Sequence, residues 1–343
     1  MSFQHTYGQS AAVIDGGGGG GPYSVYAAIY GNNPPPEKML QFDEDGNWEV
    51  FGPSVAGSGS SKAGIQVGPD GDVWAAYGGT GPRRYSGEDG AELWRHAGSS
   101  PSSAGDRSLA VRKTGWSFAS NSAGGTNAHI YGYDDDGVYQ GSIPPYVSSA
   151  NKYIEGLSVD RDGYVYSHTF FGNITKHDGV DDFEWSADTN VSEFHGGAIE
   201  VGPHDSLLAR GPADRLIRVS LTGTPIKTVT IGTGQAHPNA LAVNDADEPF
   251  VARTTDGMIE VVKIDADLNT ELWVCPLDVA AGIAHAIEVT PNGYVYAATD
   301  SATSDYAMHQ IAPDGTLRWS TAIPYQLGAL AAAPGRVGAG FWD

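Results

Sequence analysis

The sequence predicts an all-β fold, a β-propeller of eight blades, each a four-stranded antiparallel sheet. Three observations predict it. A short apolar strand, an Asp/Asn-Gly turn and an aromatic-rich strand recur along almost the whole chain at intervals of roughly forty residues. The 47 glycines and 20 prolines are scattered, as many short strands joined by turns require. No stretch holds a 3.6-residue apolar period for three turns, so no helix is expected.

The clearest unit is Ala286–Trp319. Ala286–Val289 is a strand, Pro291-Asn292-Gly293 a turn and Tyr294–Thr299 a second strand. Met308–Ile311 is a third, and Leu317–Trp319 a fourth after Pro313-Asp314-Gly315. Asn-Gly and Asp-Gly supply the positive φ that tight hairpins need. Such a meander cannot bury both of its faces alone, so copies must stack.

Six further units precede it. Unit one has Ala11–Ile14, Tyr23–Tyr30, Lys38–Phe42, the turn Asp43–Gly46 and Asn47–Phe51. Its first turn is expanded into Gly16–Gly21, too flexible for strand or helix and without the Gly-Lys-Ser/Thr of a phosphate loop. Unit two runs through Ile65–Val67, Val73–Tyr77, Arg83–Tyr85 and Glu92–His96. Unit three has Leu109–Arg112, Trp116–Ser120, His129–Tyr133 and Val138–Ile143. Unit four has Leu157–Val159, Tyr164–Phe170, Ile174–His177 and Phe183–Ser186. Unit five has Ala198–Val201, Leu207–Arg210, Leu216–Ser220 and Ile226–Ile231. Unit six has Ala240–Val243, Pro249–Arg253, Glu260–Ile264 and Glu271–Val274.

After unit seven come Ala329–Ala333, the turn Pro334-Gly335 and Val337–Phe341, which read as half of an eighth unit. Residues 1–10 would complete that last blade with an N-terminal strand, making 1–343 one closed domain without exposed sheet edges. Seven blades are the alternative, and they require the first strand of unit one to be displaced.

The pattern Ile/Leu-x-Val-x-x-Asp/Asn-Gly-x-Val-Tyr, followed by Asp-Gly-x-x-x-Trp, resembles the repeats of PQQ-like and NHL-like β-propellers. It is clearest at Ile65–Trp74 with Asp89–Trp94, at Leu157–Tyr166, and at Ile287–Tyr296 with Asp314–Trp319. The resemblance implies the fold and little about function, since such frames host unrelated activities. No quinone-binding constellation carries over, and one cysteine excludes the paired cysteines of some quinoproteins.

Forty-one acids against 19 bases give a net charge of −22. Such a surface offers no basic footprint to nucleic acid or anionic membrane. Cys275 is the single cysteine and reads as a small buried side chain. No apolar run approaches the length of a membrane span, and MSFQHTYGQS lacks the marks of a secretory signal. A cytoplasmic protein, or one released by a signal-free route such as virion assembly, is expected.

Asp43–Gly46, Asp134–Gly137 and Asp160–Gly163 could hold calcium, but acid-rich turns more commonly cap their own backbone. Trp94, Trp185, Trp273 and Trp319, with Trp48 nearby, recur in fourth strands and are expected to pack between blades. Some of Tyr23, Tyr26, Tyr30, Tyr131, Tyr133, Tyr164 and Tyr166 are expected at the surface, where rings stack on sugars or anchor a protein.

Candidate functional residues precede the first strand of each unit, around one mouth of the central channel: Lys62, Asp106, Arg107, Glu155, His195, His237, Asn239, His285 and Gln326. His195, His237 and His285 could converge on zinc, with Glu155 as base or ligand; a wet, hydrogen-bonded mouth is the plainer alternative. No Gly-x-Ser-x-Gly elbow and no His-Glu-x-x-His pair is present. These absences favour a non-enzymatic structural or adhesive protein without a required cofactor: a virion, phage tail-associated propeller that binds other virion proteins, another protein or a host glycan. The alternatives are a metal- or quinone-dependent enzyme at the channel mouth (lyase, hydrolase or oxidoreductase) and a cytosolic interaction scaffold.

Overall fold

A computed structural model describes residues 24–30, 39–52, 64–68, 70–77, 81–96, 106–121, 129–143, 154–169, 172–178, 182–188, 198–202, 206–210, 215–232, 236–280, 282–301 and 305–332. They form 28 strands in seven four-stranded antiparallel sheets. Blade one contains β1 (Val25–Tyr30), β2 (Met39–Phe42) and β3 (Trp48–Phe51). Blade two is β4–β7 (Gly64–Val67, Val73–Tyr77, Gly81–Tyr85, Glu92–Arg95), and blade three is β8–β11 (Asp106–Val111, Ser117–Asn121, Ile130–Tyr133, Tyr139–Ile143). Blade four is β12–β15 (Ile154–Val159, Val165–Thr169, Asn173–Asp178, Asp182–Asp188), and blade five is β16–β19 (Ile199–Gly202, Ser206–Arg210, Arg215–Ser220, Pro225–Thr230). Blade six is β20–β23 (Ala236–Val243, Pro249–Thr255, Met258–Ile264, Glu271–Ala280). Blade seven is β24–β27 (Ile283–Val289, Val295–Asp300, Tyr306–Ile311, Leu317–Ile323), and β28 (Gln326–Ala332) follows it.

The ring therefore has seven blades, not eight. The late apolar run is the missing inner strand of blade one, not the start of another blade. In that sheet the order is β28-β1-β2-β3, with Val25 opposite Ala332 and Ala28 opposite Ala329. The closure is also the reverse of the expected one: the C-terminal end joins the N-terminal blade. Burial explains the choice. Leu327, Leu330 and Ala332 of β28 enter one cluster with Val25, Ala27 and Leu40 of blade one and with Met308 and Ile323 of blade seven. Each leucine so covered contributes about 1.5–3 kcal/mol. Residues 1–10, Ala11–Ile14, Gly16–Gly21 and Val337–Phe341 lie outside the described residues.

The other cores likewise sit between blades. Phe250, Val261 and Cys275 of blade six pack against Ile287, Val289 and Ile311 of blade seven. Of the seven tyrosines considered as surface anchors, Tyr26, Tyr131, Tyr133 and Tyr166 are buried in such interfaces, whereas Tyr164 is half-buried.

The fourth-strand tryptophans clasp neighbouring blades, as their recurrence suggests. The Nε1–H groups of Trp94, Trp273 and Trp319 donate to the carbonyls of Asp135 (2.8 Å), Pro313 (3.1 Å) and Glu44 (2.9 Å), each in the next blade's turn between strands three and four. The rings lie on Gly137, Gly315 and Gly46, where a Cβ would overlap the indole. Blade five has Lys227 in this place; its ammonium donates to the Asp267 carbonyl, and the turn beneath it carries Leu268 at φ 55° in place of glycine. Trp319 reaches across the seam between blades seven and one.

The acid-rich turns cap themselves. Asp43 Oδ1 accepts from the backbone N–H groups of Asp45 (3.0 Å) and Asn47 (2.9 Å), and Asp160 Oδ1 from those of Asp162 (3.0 Å) and Tyr164 (2.9 Å). Asp134 Oδ1 does the same with Asp136 and Val138. This is the plain turn chemistry expected of aspartate at such positions.

Candidate active site

The inner strands of all seven blades line a channel of about 100 Å³, whose walls include Gln66, Ser158, Glu200, Glu288 and Ala331. Its lining is built into the repeat. An inner strand pairs on one side only, so alternate N–H groups face the channel and need partners. Gln66 Oε1 of blade two accepts from Val111 N of blade three (2.6 Å), and Ser158 Oγ of blade four from Val201 N of blade five (3.1 Å). Glu288 Oε1 accepts from its neighbour Val289 N (3.1 Å). Gln66, Ser158 and Glu288 in the channel wall thus satisfy backbone.

The mouth is different. Five inner strands are irregular near the mouth: one extra residue sits in β8 between Asp106 and Leu109, in β12 at Glu155, in β24 at His285 and in β28 at Gly328, and β20 carries three between Ala236 and Leu241. Bulges at a rim re-aim side chains and end pairing, a common device beside active sites. The predicted residues Arg107, Glu155, His237, Asn239 and His285 fall on these bulges. Asp106 and Gln326 are the first residues of β8 and β28. Lys62 and His195 lie outside the described residues.

The structure brings His285 and Gln326 together and adds a residue that the sequence reading missed. His285 Nε2 lies 2.9 Å from Asp300 Oδ2 and 3.0 Å from Gln326 Nε2. Asp300 ends β25, directly opposite Ile283, and its other oxygen accepts the Ile283 N–H at 2.7 Å. Gly282 packs so close to the Asp300 carbonyl that a Cβ would overlap it. The side chains of His285 and Asp300 are each 18% exposed, sheltered yet reachable from the mouth. The missed signal was register: the end of each second strand stands at the same rim as the start of the first, so Asp300 was as eligible as His285.

Of the three histidines considered for a metal, His195 lies outside the described residues and only the side chain of His285 is described; among the described residues no three His, Cys, Asp or Glu side chains converge on a common point. β20 places His237 and Asn239 near the mouth in the blade beside His285, and the inner strands β20 and β24 pack side by side. The available chemistry is that of an imidazole held by a carboxylate. Such a pair fixes the ring and balances the charge that appears when the ring takes up a proton.

No protein-family model and no curated protein sequence matches the chain. Solved structures do. A Lactobacillus plantarum protein superimposes with a TM-score of 0.67 at 11% identity, covering 91% of this chain and 99% of that one. A streptogramin B lyase gives 0.63 at 14% identity, covering 89% and 88%. A virginiamycin B lyase from Staphylococcus aureus gives 0.61 at 14%, covering 78% and 85%. These likenesses establish the frame. They also overturn the expectation of a non-enzymatic virion or tail component, because the frames matched here include lyases and the mouth holds a histidine–carboxylate pair. Among the described residues no helix is long and apolar enough to cross a membrane. By strand order, by closure and by likeness, the chain is a seven-bladed β-propeller.

Proposed function

We propose that this propeller is an enzyme of lyase type that works at the channel mouth by removing a proton from its substrate. His285 is the base and Asp300 orients it and balances its charge. The carrying observation is the 2.9 Å contact of His285 Nε2 with Asp300 Oδ2 on a rim where the inner strands bulge. With the ring proton on Nε2 and donated to Asp300, the lone pair is on Nδ1. A substrate C–H then gives its proton to Nδ1, the electron pair forms a double bond in the substrate, and the leaving group departs with the electrons of its own bond. Asp300 stays ionised and stabilises the imidazolium. Such a base typically contributes about 10²–10⁴-fold to the rate. The lyases built on the same frame support this reaction class.

The test is turnover by the purified full chain of virginiamycin B and of a panel of small molecules that carry an acidic C–H beside a leaving group, followed by mass spectrometry. His285→Ala is expected to lose at least about 100-fold in kcat, and Asp300→Asn less than that. Equal rates for the wild type and His285→Ala, or no cleavage of any panel member, would overturn the reading.

A further inference from the structure

Two groups address one ring nitrogen at the mouth. Asp300 Oδ2 and the Gln326 amide nitrogen both lie within hydrogen-bond distance of His285 Nε2, at 2.9 and 3.0 Å. An imidazole nitrogen in a neutral ring has one in-plane position. It holds a proton, which suits the carboxylate acceptor, or a lone pair, which suits the amide donor. The two bonds are therefore alternatives, and they select opposite tautomers.

We propose that Gln326 holds the base in check: its amide draws His285 into the tautomer with the proton on Nδ1, and Asp300 draws it into the one whose Nδ1 lone pair can act. This rests on the reading of His285 as the base and adds its regulation. The two partners are mounted differently. Asp300 belongs to the same blade as His285 and is pinned by the Ile283 N–H at 2.7 Å. Gln326 arrives from β28, the strand that closes the ring, where it pairs with Tyr30 and is followed by the buried Leu327. The seating of the closing strand and the state of the base are thus mechanically joined. Slippage of β28 withdraws the amide and leaves His285 to Asp300.

The experiment is long-range ¹H–¹⁵N correlation NMR of the full chain labelled with ¹⁵N-histidine at neutral pH, in which protonated and bare ring nitrogens are well separated. The His285 signals are assigned from their loss in His285→Gln. In Gln326→Leu the tautomer ratio is expected to move toward protonated Nε2 by about fivefold, the worth of one hydrogen bond. In Asp300→Leu it is expected to move the opposite way. Gln326→Met repeats the first comparison if the leucine variant melts early. A ratio unchanged in both Gln326 variants, or moved in the same direction by the Gln326 and Asp300 substitutions, overturns the proposal. The readout needs no substrate. A tautomer response in a chain without turnover sustains the check by Gln326 and sinks only the catalytic reading.

Discussion

A glycine in a turn can be there for its own backbone or for its neighbour's side chain, and this chain contains both kinds. Gly257 has φ 81° and open space where a Cβ would stand. Gly137 has φ 77° and the Trp94 ring on top of it. Gly257→Ala is therefore expected to cost only the left-handed backbone penalty, about 1 kcal/mol. Gly137→Ala is expected to cost roughly 2–4 kcal/mol, since the indole must also move and lose its bond to the Asp135 carbonyl. Urea-unfolding midpoints of the two variants give the comparison. In a Trp94→Leu background the excess for Gly137→Ala should largely vanish, and its persistence would count against this account. Leu268, at φ 55° beneath Lys227, shows the same rule from the other side. Where no indole lies on the turn, glycine is dispensable even though the backbone remains left-handed.

Neighbouring blades are joined by polar clasps as well as by apolar contact. Arg218 of β18 donates through Nη1 to Asp247 Oδ2 (2.7 Å) and through Nη2 to the Asp247 carbonyl (3.0 Å), while Ser206 Oγ donates to the same carboxylate (3.0 Å). Asp247 is buried in the turn between β20 and β21, and Gly202 leaves room for its carboxylate. Asp247→Ala strands a largely buried guanidinium, so a loss of about 3–5 kcal/mol is expected, against a much smaller one for Arg218→Met with Asp247→Leu together. Thermal unfolding of the single and double variants decides this; equal losses would mean that the pair contributes through packing alone. None of this was legible in the chain, because an Asn-x-x-Asp turn looks the same whether its last acid faces solvent or the next blade.

Closure and acid sensitivity belong to the whole ring. Leu330 is 7% exposed and lies in the cluster shared by blades one and seven. Leu330→Asp places a carboxylate in that seam and is expected to open the ring, seen as faster limited proteolysis and a larger radius of gyration by small-angle scattering. An unchanged radius would show that β28 is not what holds the ends together. Acid acts through buried histidines. Burial lowers His177 and His309 to about 4 from the ordinary 6.5; His309 is hydrogen-bonded to Thr299 and Ser320, and His177 to Thr175. Between pH 6.5 and 4 the unfolded chain binds these protons and the folded ring does not. Stability is then complete above 6.5 and falls as pH drops toward 4, by roughly 2 kcal/mol per histidine at pH 5. His309→Gln should flatten the slope of stability against pH in this window, and an unaltered slope would remove His309 as a contributor.

The sequence by itself determined the strand-and-turn meander, its repetition, its self-capping turns and the rim on which His285 and Gln326 stand. Each of these is local: φ preferences, alternation and side chain-to-backbone bonds act within a few residues. The tertiary structure decided the blade number, the direction of closure, the pairing of Asp300 with His285 and the burial of the tyrosines. Ala329–Ala332 starts an eighth blade or completes the first with equal local propriety. Only the competition between distant partners for the same apolar face, settled by Val25, Ala27 and Leu40, selects between them.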